Sequence, residues 1–344
     1  MATYYITKAG SDSNDGSSGS PFLTIQHALD QTDNGDTVIV NDSGIYKENN
    51  LNRIKTGLTL KAGTGFSPTI DGTTAVEDAH ATICIKAFTD WVIEGFTIRN
   101  YTDNGITGNG GQRLYTVRNC TIYDISPGDG IDGLKDSSLI DRCTIYNITG
   151  TSGAGAGIDG ATRSITVKNT LIYEVTRGRG ITTTGGSTVI RNCTVDSCGS
   201  DNGTTYGIFA SAGTVEYTIV TNTNSSIAGL RASTHTYNCA YNNSGSEIYS
   251  GVGTGDITTN PLYTDIDEDV RNYTIQATSP CITPGASSSI GLDLTGYERG
   301  WTFNHKIDDV NTMTNHDMGC YEEIIPNVNG VKTDDVANIM GIGS

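Results

Sequence analysis

The sequence predicts an all-β fold, a right-handed parallel β-helix, because two short motifs recur in phase through the middle of the chain. The first is an apolar residue, Cys or Thr followed by a short β-branched or aliphatic run, with copies beginning at Phe96, Cys120, Cys143, Thr170, Cys193 and Tyr217, and a looser copy at Cys239. Successive copies start 24, 23, 27, 23, 24 and 22 residues apart. The second is Gly followed by Ile or Leu, at Gly105, Gly130, Gly157, Gly180, Gly207 and Gly229. Two motifs locked at one short period indicate a solenoid, whose units must stack to bury their apolar residues.

Each repeat is expected to be one coil of three short strands and three turns, about 24 residues long, with like residues stacked ~4.8 Å apart. Alternation has period two, as in Cys120-Thr121-Ile122-Tyr123, and β-branched residues dominate the short runs. The expected inward column is Phe96, Cys120, Cys143, Thr170, Cys193 and Tyr217, with Ile98, Ile122, Ile145, Ile172, Val195 and Ile219 beside it. The Asn residues expected in the preceding left-handed turn are Asn119, Asn169, Asn192 and Asn238.

The two ends of the chain depart from the repeat. Ser20 and Pro21 predict the start of a short N-terminal capping helix that ends near Asp30 and presents Phe22, Ile25 and Leu29 on one face. Such a helix covers the open strand edge of a solenoid. We expect one β-helix domain over residues 1–323, with an N-terminal cap (1–34) and an irregular C-terminal cap (261–323). Residues 324–344 form a tail, with a helix-like segment at 334–340.

Charge and composition exclude several classes of partner. The net charge of −17 argues against nucleic acid, which requires a basic face. The first residues lack a basic region followed by an apolar run, so we expect no signal peptide and no membrane span. The Cys residues that share one repeat position are expected to be small apolar core residues rather than disulfides.

Segments near both ends resemble one protein superfamily. Residues 10–16 (GSDSNDG), 21–26 (PFLTIQ) and 317–322 (DMGCYE) are similar to the opening and ending of bacterial and phage β-helix proteins of the pectate-lyase-like superfamily. The resemblance implies the same fold and a polysaccharide partner. Residues 328–340 resemble repeats near the ends of phage tail-associated and other structural proteins, which implies a virion-associated or extracellularly released protein, and otherwise a cytoplasmic one. Homo-oligomers are common among phage proteins of this fold.

Four Asp residues are expected to converge on adjacent coils. Asp132 and Asp159 follow the Gly-Ile motif and point outward about 5 Å apart, while Asp103 and Asp129 lie in the turns before that motif. Clustered carboxylates repel one another, so they need a proton or a cation, and an oxygen-rich set suits Ca²⁺. The stretch from Gly128 to Asp132 also resembles the calcium-binding turn of β-helical pectate lyases, which have a further Asp where this chain has Gly128. The alternative is a ladder of Asp residues that stabilises turns through side-chain hydrogen bonds.

Basic and aromatic residues lie near this acidic group. A polysaccharide lyase needs a base for the proton next to a uronic-acid carboxyl group, and Lys135, Arg177 and Arg179 are the candidates. The candidates for binding sugar are Arg163, Tyr123, Tyr146 and Tyr173. The alternatives are charge balance for the basic residues and ordinary stacking for the tyrosines.

The leading hypothesis for function is a Ca²⁺-assisted lyase that cleaves an acidic, uronic-acid-containing polysaccharide by β-elimination. A second hypothesis is a non-catalytic virion or surface protein that binds glycans or acts as a spacer. A third is a β-helical glycoside hydrolase in which Asp132 and Asp159 act as acid and base.

Overall fold

The computed structural model describes residues 1–73, 83–108, 111, 113–150, 155–199, 205–265, 272–276 and 278–282. The helix α1 spans Ile25–Gln31. The strands are, in chain order, β1 Thr3–Ile6, β2 Thr37–Val40, β3 Ile45–Tyr46, β4 Leu51–Asn52, β5 Thr59–Ala62, β6 Thr69–Asp71, β7 Ile85–Ala87, β8 Trp91–Glu94, β9 Thr97–Tyr101, β10 Ile106–Gly108, β11 Tyr115–Arg118, β12 Thr121–Ile125, β13 Leu139–Asp141, β14 Thr144–Thr149, β15 Gly155–Asp159, β16 Thr166–Lys168, β17 Leu171–Thr176, β18 Gly178–Thr183, β19 Val189–Arg191, β20 Thr194–Asp196, β21 Tyr206–Glu216, β22 Ile219–Thr221, β23 Ala228–Thr236, β24 Cys239–Tyr241, β25 Ser246–Ile248, β26 Tyr263–Asp265 and β27 Asn272–Ile275.

These strands form three parallel columns, so the predicted parallel β-helix is confirmed. The first sheet runs β1-β2-β5-β8-β11-β13-β16-β19-β21-β23, and the second runs β3-β6-β9-β12-β14-β17-β20-β22-β24. The third runs β4-β7-β10, continues through Ile131, and ends β15-β18-β21-β23-β25. The long strands β21 and β23 each pass from the third sheet into the first. At the C-terminal end of the described coils, β26 and β27 pair antiparallel.

Each sheet sends aliphatic side chains into one shared core. In the third sheet the stacked, fully buried residues are Ile85, Ile106, Ile131, Ile158, Ile181, Ile208 and Leu230. Cys120, Cys143 and Cys193 are also buried in this core. The predicted inward column therefore holds from Phe96 to Cys193, and the Cys residues act as small apolar core residues.

The repeat slips by one residue at the next coil, so the prediction for Tyr217 and Ile219 was wrong. Thr218, not Tyr217, follows Cys193, since the Thr218 Oγ1 accepts a hydrogen bond from the Cys193 N–H at 3.3 Å. Ile219 pairs with Thr194, which puts Val220 in the place predicted for Ile219. The inward position is taken by Thr170, Cys193 and Asn238 in the coils around it, and the Tyr217 ring is much larger.

Tyr217 instead occupies the left-handed turn before the strand. Its φ is 50°, close to the 54° of Asn119 at the same point of an earlier coil. Asn169 and Asn192 also adopt this conformation, as predicted. The prediction for Asn238 was wrong, because Tyr237 holds the turn at φ 55°. Asn238 lies inside the coil and is buried: its amide oxygen accepts from the Thr218 N–H at 3.0 Å, and its Nδ2 donates to the Val215 carbonyl at 3.0 Å and to the Asp256 Oδ1 at 3.1 Å.

The capping helix is present but begins later than predicted. Its N-cap is Thr24, and Ser20 and Phe22 lie outside it; Phe22 bridges to Ile6 in a parallel pairing. A residue distant in sequence stabilises the start of the helix: the Glu48 carboxylate accepts hydrogen bonds from the backbone N–H groups of Ile25 and Gln26, each at 2.8 Å. Ile25 and Leu29 are buried, and the helix packs against β1, β2 and β4.

The predicted C-terminal cap is described only in part. Residues 283–344, which include the tail and the predicted helix-like segment at 334–340, lie outside the described residues. Among the residues that are described, no helix has the length and apolar character needed to cross a membrane.

Candidate functional site

The register of the third sheet brings Asp132 and Asp159 side by side. Ile131 pairs with Ile158 in parallel, and both side chains are buried in the core. The residue after each therefore points outward, because side chains alternate along a strand. In the following coils Thr182, Phe209 and Arg231 continue the same column.

Asp129 joins the pair from the preceding turn. One carboxylate oxygen from each of Asp129, Asp132 and Asp159 lies within 4.8 Å of the others. Asp129 accepts a hydrogen bond from the Ala156 N–H, and Asp159 accepts one from the Ala161 N–H at 2.6 Å. We call these three residues the carboxylate cluster.

Burial makes ionisation of the carboxylate cluster unfavourable. Burial is the main cause that raises the pKa of Asp129 to about 8, and repulsion from Asp132 and Asp159 adds to it. The pKa of Asp132 is raised by burial, and that of Asp159 is raised by burial and by Asp132. The cluster therefore either takes up a proton or needs a cation to hold its full negative charge.

Asp103 lies at the edge of the cluster rather than within it. Burial and the charge of Asp132 raise its pKa, and the Lys86 ammonium opposes that shift. Gly128 packs directly on Asp103: a Cβ at Gly128 would lie 1.4 Å from the Asp103 carbonyl oxygen. The further Asp of the pectate-lyase calcium turn does not fit at this position, so this chain must build any such site from fewer carboxylates.

A shallow groove of about 280 Å³ runs beside the cluster, lined by Asp159, Arg179, Thr182, Phe209 and neighbouring small residues. Arg179 is held in place on its wall: Nη1 donates to the Thr182 Oγ1 at 3.0 Å, and Cζ lies 4.7 Å from the centre of the Phe209 ring. Burial lowers the pKa of Arg179, and the charge of Asp159 opposes that shift. The groove thus carries a carboxylate and a desolvated guanidinium on adjacent coils.

The other predicted basic residues are not part of the lining of this groove. Lys135 and Arg177 are exposed, and Arg177 adopts a turn conformation with φ 60°. Arg163 makes an ion pair with Asp136, with 3.8 Å between Nη1 and Oδ2. None of these three lines the groove among the described residues, whereas Arg179 does.

The predicted tyrosine column forms, on a different sheet from the cluster. The rings of Tyr123 and Tyr146 stack with centroids 4.7 Å apart, and those of Tyr146 and Tyr173 stack at 4.8 Å. Arg99 Nη1 donates to the Tyr123 hydroxyl at 3.0 Å. Tyr273 of β27 lies on Tyr173 at 5.3 Å, and Tyr173 is only 9% exposed. The column is therefore open to a ligand at Tyr123 and Tyr146 and covered at its far end.

Sequence reasoning gave no role to Thr182 and Phe209, which hold Arg179. The signal that points to them is the register, because both occupy the outward position of the Gly-Ile motif on the coils that follow Asp159.

Comparisons with solved structures find several similar chains. The pectate lyase Pel9A is 11% identical, with 94% of this chain and 97% of that chain covered at a TM-score of 0.57. A rhamnogalacturonan lyase is 12% identical over 78% of this chain and 92% of its own, with a TM-score of 0.40. The GH136 lacto-N-biosidase from Eubacterium ramulus is 10% identical over 75% and 67%, with a TM-score of 0.38. At such low identity the likeness to Pel9A shows the fold alone.

No curated protein sequence matches the chain. The model of one family, described as the right handed beta helix region, matches residues 82–261. This segment is more than half of the chain and contains the carboxylate cluster, the groove and the tyrosine column. The protein belongs to the right-handed beta helix family.

Proposed function

We propose that this protein is a carbohydrate-active β-helix protein that cleaves an acidic, uronic-acid-containing polysaccharide by β-elimination, with the help of Ca²⁺. The observation that carries the proposal is the carboxylate cluster at the wall of a groove in which Arg179 is held rigidly. The likeness in fold to Pel9A, a pectate lyase, supports the choice of chemistry.

The cluster has the composition of a calcium site. Ca²⁺ takes oxygen ligands, and Asp129, Asp132 and Asp159 would supply one each, with Asp103 at the edge. Burial and mutual repulsion raise the pKa values of the three carboxyl groups, so a cation would relieve an existing electrostatic cost. When bound, Ca²⁺ would neutralise the carboxylate of a uronic-acid residue and make the adjacent C–H bond more acidic.

Arg179 is our candidate for the base. Burial lowers the pKa of Arg179, so its neutral guanidine form costs less free energy than that of an exposed Arg. Contacts with Thr182 and Phe209 restrict the motion of the side chain. In the proposed step Arg179 accepts the proton from the carbon next to the carboxyl group. The electron pair of that C–H bond forms a double bond, and the bond to the glycosidic oxygen breaks. The leaving oxygen takes a proton from water, and the proton on Arg179 passes to the hydroxide that remains. The exposed Lys135 and Arg177, with Arg163, would attract the acidic polymer locally despite the overall charge of −17.

The experiment is an assay of uronic-acid polymers for the ultraviolet absorbance of the unsaturated product, with Ca²⁺ or with a chelator. We expect absorbance to grow with Ca²⁺ and to stop with the chelator, in Asp132→Ala and in Arg179→Ala. The matched control is Asp30→Ala, which removes an exposed carboxylate on α1 and should leave the rate unchanged. No absorbance on any polymer, together with no effect of Ca²⁺ on the melting temperature, would contradict the proposal.

A glycoside hydrolase is the second candidate, and one distance favours it. Oxygens of Asp132 and Asp159 lie within 4.8 Å, near the carboxyl separation of roughly 5–5.5 Å in retaining glycosidases. Asp129, with its pKa raised to about 8, would stay protonated at neutral pH and could act as the acid. Release of reducing ends without ultraviolet absorbance would select hydrolysis. Binding of a polysaccharide without any cleavage would select a glycan-binding protein.

A further inference from the structure

His235 interrupts an aliphatic column of the first sheet. The stacked positions of the five preceding coils are Val117, Ile140, Val167, Ile190 and Val215, and all are fully buried. His235 pairs with Val215 as the next member, and its side chain is 10% exposed. Another aliphatic residue would fill this position at no polar cost, whereas a buried imidazole needs a partner for each ring nitrogen.

Both ring nitrogens have such partners, and the partners are Asp256 and Ser250. The Asp256 Oδ2 lies 2.6 Å from His235 Nδ1, and the Ser250 Oγ lies 2.7 Å from His235 Nε2. The three side chains therefore form one chain of hydrogen bonds in the order Ser, His, Asp.

The surroundings of Asp256 determine which nitrogen carries the proton. Its side chain is fully buried, and it accepts from the Gly253 N–H at 2.9 Å and from the Asn238 N–H at 2.8 Å. A carboxylate held by N–H donors is an acceptor, so His235 Nδ1 must donate to it. His235 Nε2 is then left as the acceptor for the Ser250 hydroxyl, which is the arrangement of a nucleophile, a base and an orienting acid.

Ser250 is the accessible member of the three. It is exposed in the turn after β25, and the side chains of Tyr249 and Val252 beside it are 53% and 64% exposed. The Gly251 N–H donates to the Ile248 carbonyl at 3.2 Å. Within the described part of the chain the backbone N–H groups of Ser250 and Val252 meet no acceptor, so they are available to an oxyanion formed at Ser250.

We propose that Ser250, His235 and Asp256 form a second hydrolytic site, with the activity of a serine esterase. The substrate class is a short-chain carboxylic ester of an alcohol, such as an O-acetyl group on a sugar. A nucleophile in an exposed turn reaches a group that projects from a larger molecule, and Tyr249 and Val252 offer apolar contact to its acyl or sugar part. The site is separate from the carboxylate cluster along the same sheet, because Ile248, two residues before Ser250, stacks four coils beyond Ile158.

The reaction consumes one ester and one water and gives one acid and one alcohol. His235 Nε2 takes the proton of Ser250 as Oγ bonds to the ester carbonyl carbon. The bond from that carbon to the alcohol oxygen then breaks, and His235 returns the proton to the alcohol. Water, deprotonated by His235, attacks the acyl-serine, which releases the acid and restores the Ser250 hydroxyl.

The test is covalent labelling with a fluorophosphonate probe, followed by peptide mapping, together with hydrolysis of 4-nitrophenyl acetate. We expect the probe to modify Ser250. In Ser250→Ala the label should disappear and hydrolysis should fall at least about 100-fold, since triad members act as a unit. Asp256→Asn should lower both labelling and hydrolysis, because it removes the charge that orients His235.

Ser246→Ala is the matched control, since Ser246 is an exposed serine on β25 four residues earlier. It should keep the label and the hydrolysis rate. Ser250→Ala removes one hydrogen bond to His235 at an exposed position that water can reach, so it should fold with at most a small drop in melting temperature even if substitutions of the buried Asp256 impair folding. No label on Ser250, or equal hydrolysis by wild type and Ser250→Ala, would overturn the proposal. Asp132→Ala should leave this activity intact, which separates it from the proposed polysaccharide cleavage.

Discussion

Two groups of acidic side chains in this β-helix have opposite surroundings. Asp196, at the end of β20, is 1% exposed. Its two oxygens accept four hydrogen bonds from neutral groups, at 2.6 to 2.9 Å; the donors are Thr221 Oγ1, Asn222 Nδ2, Ser197 Oγ and Tyr273 Oη. This carboxylate is saturated by donors from its own and neighbouring coils, and it ties the hairpin of β26 and β27 to the second sheet.

The carboxylates of the cluster are also largely buried, but they do not accept as many hydrogen bonds as Asp196 does. Burial raises the pKa values of Asp129, Asp132 and Asp159, and each lies close to the others. A repeated or buried Asp is therefore not in itself a sign of function. The cluster differs because its carboxylates repel one another, and a bound cation can reduce that repulsion. The carboxylate of Asp196 is already stabilised by hydrogen bonds from neighbouring side chains.

The largest expected effect is on catalysis, from Asp132→Ala. Loss of one ligand should abolish the gain in melting temperature that Ca²⁺ gives, because a ligand stabilises only the state that it binds. It should also lower the rate of uronate cleavage by about 10³-fold, the scale of losing a metal's charge stabilisation. Thermal melts with and without Ca²⁺, and the ultraviolet assay, measure the two effects. If Ca²⁺ raised the melting temperature of Asp132→Ala as much as that of the wild type, the cluster would not be the Ca²⁺ site.

Asp196→Ala should act on stability alone. It leaves several buried donors without an acceptor, so the free energy of unfolding should fall by about 2–4 kcal/mol. The gain from Ca²⁺ should remain, because Asp196 lies outside the cluster. Denaturant unfolding measures the loss, with Asp30→Ala as an exposed control. If Asp196→Ala no longer gained stability from Ca²⁺, the proposed difference between Asp196 and the carboxylate cluster would be contradicted.

The pH dependence of stability should report on the carboxylate cluster. Asp129 titrates at about 8 in the folded protein, against a usual value of 3.8, so the folded state holds an extra proton between those values. Without Ca²⁺, the free energy of unfolding should therefore fall as pH rises from about 4 to about 8, by at most about 1.4 kcal/mol per pH unit for this group. Asp129→Asn should flatten the profile of the metal-free protein. Parallel profiles for the variant and the wild type would contradict the assignment.

The smallest expected effect comes from the tyrosine column. Tyr146→Leu removes a ring that stacks on both neighbours, and we expect KM for the polysaccharide to rise by a factor that corresponds to about 0.5–1.5 kcal/mol, with kcat unchanged. Initial rates over a range of polymer concentrations test this. A lower melting temperature with an unchanged KM would show that the column only stabilises the second sheet.

The sequence was sufficient to predict the coil, the parallel stacking and the adjacency of Asp132 and Asp159, because all three follow from the repeat alone. Features set by contacts between distant residues were not predicted. The Glu48 carboxylate binds the first N–H groups of α1 from a later turn, and the close contact between Gly128 and the Asp103 backbone joins two coils. The one-residue shift at Tyr217 was not predicted, because Tyr217-Thr218-Ile219 fits the motif with either Tyr217 or Thr218 inside the coil. Only the space available inside the coil decides between these two registers.

The buried thiols have a consequence for how this solenoid comes apart. Cys84, Cys120, Cys143, Cys193 and Cys239 lie on successive or nearby coils, and all are buried. Burial raises the pKa of Cys120 to about 11, so its reactive thiolate is scarce while the coil is closed. The rate at which each thiol is modified therefore reports how often its own coil opens. The order in which alkylating reagents modify them would show whether the β-helix frays from one end or opens as a whole.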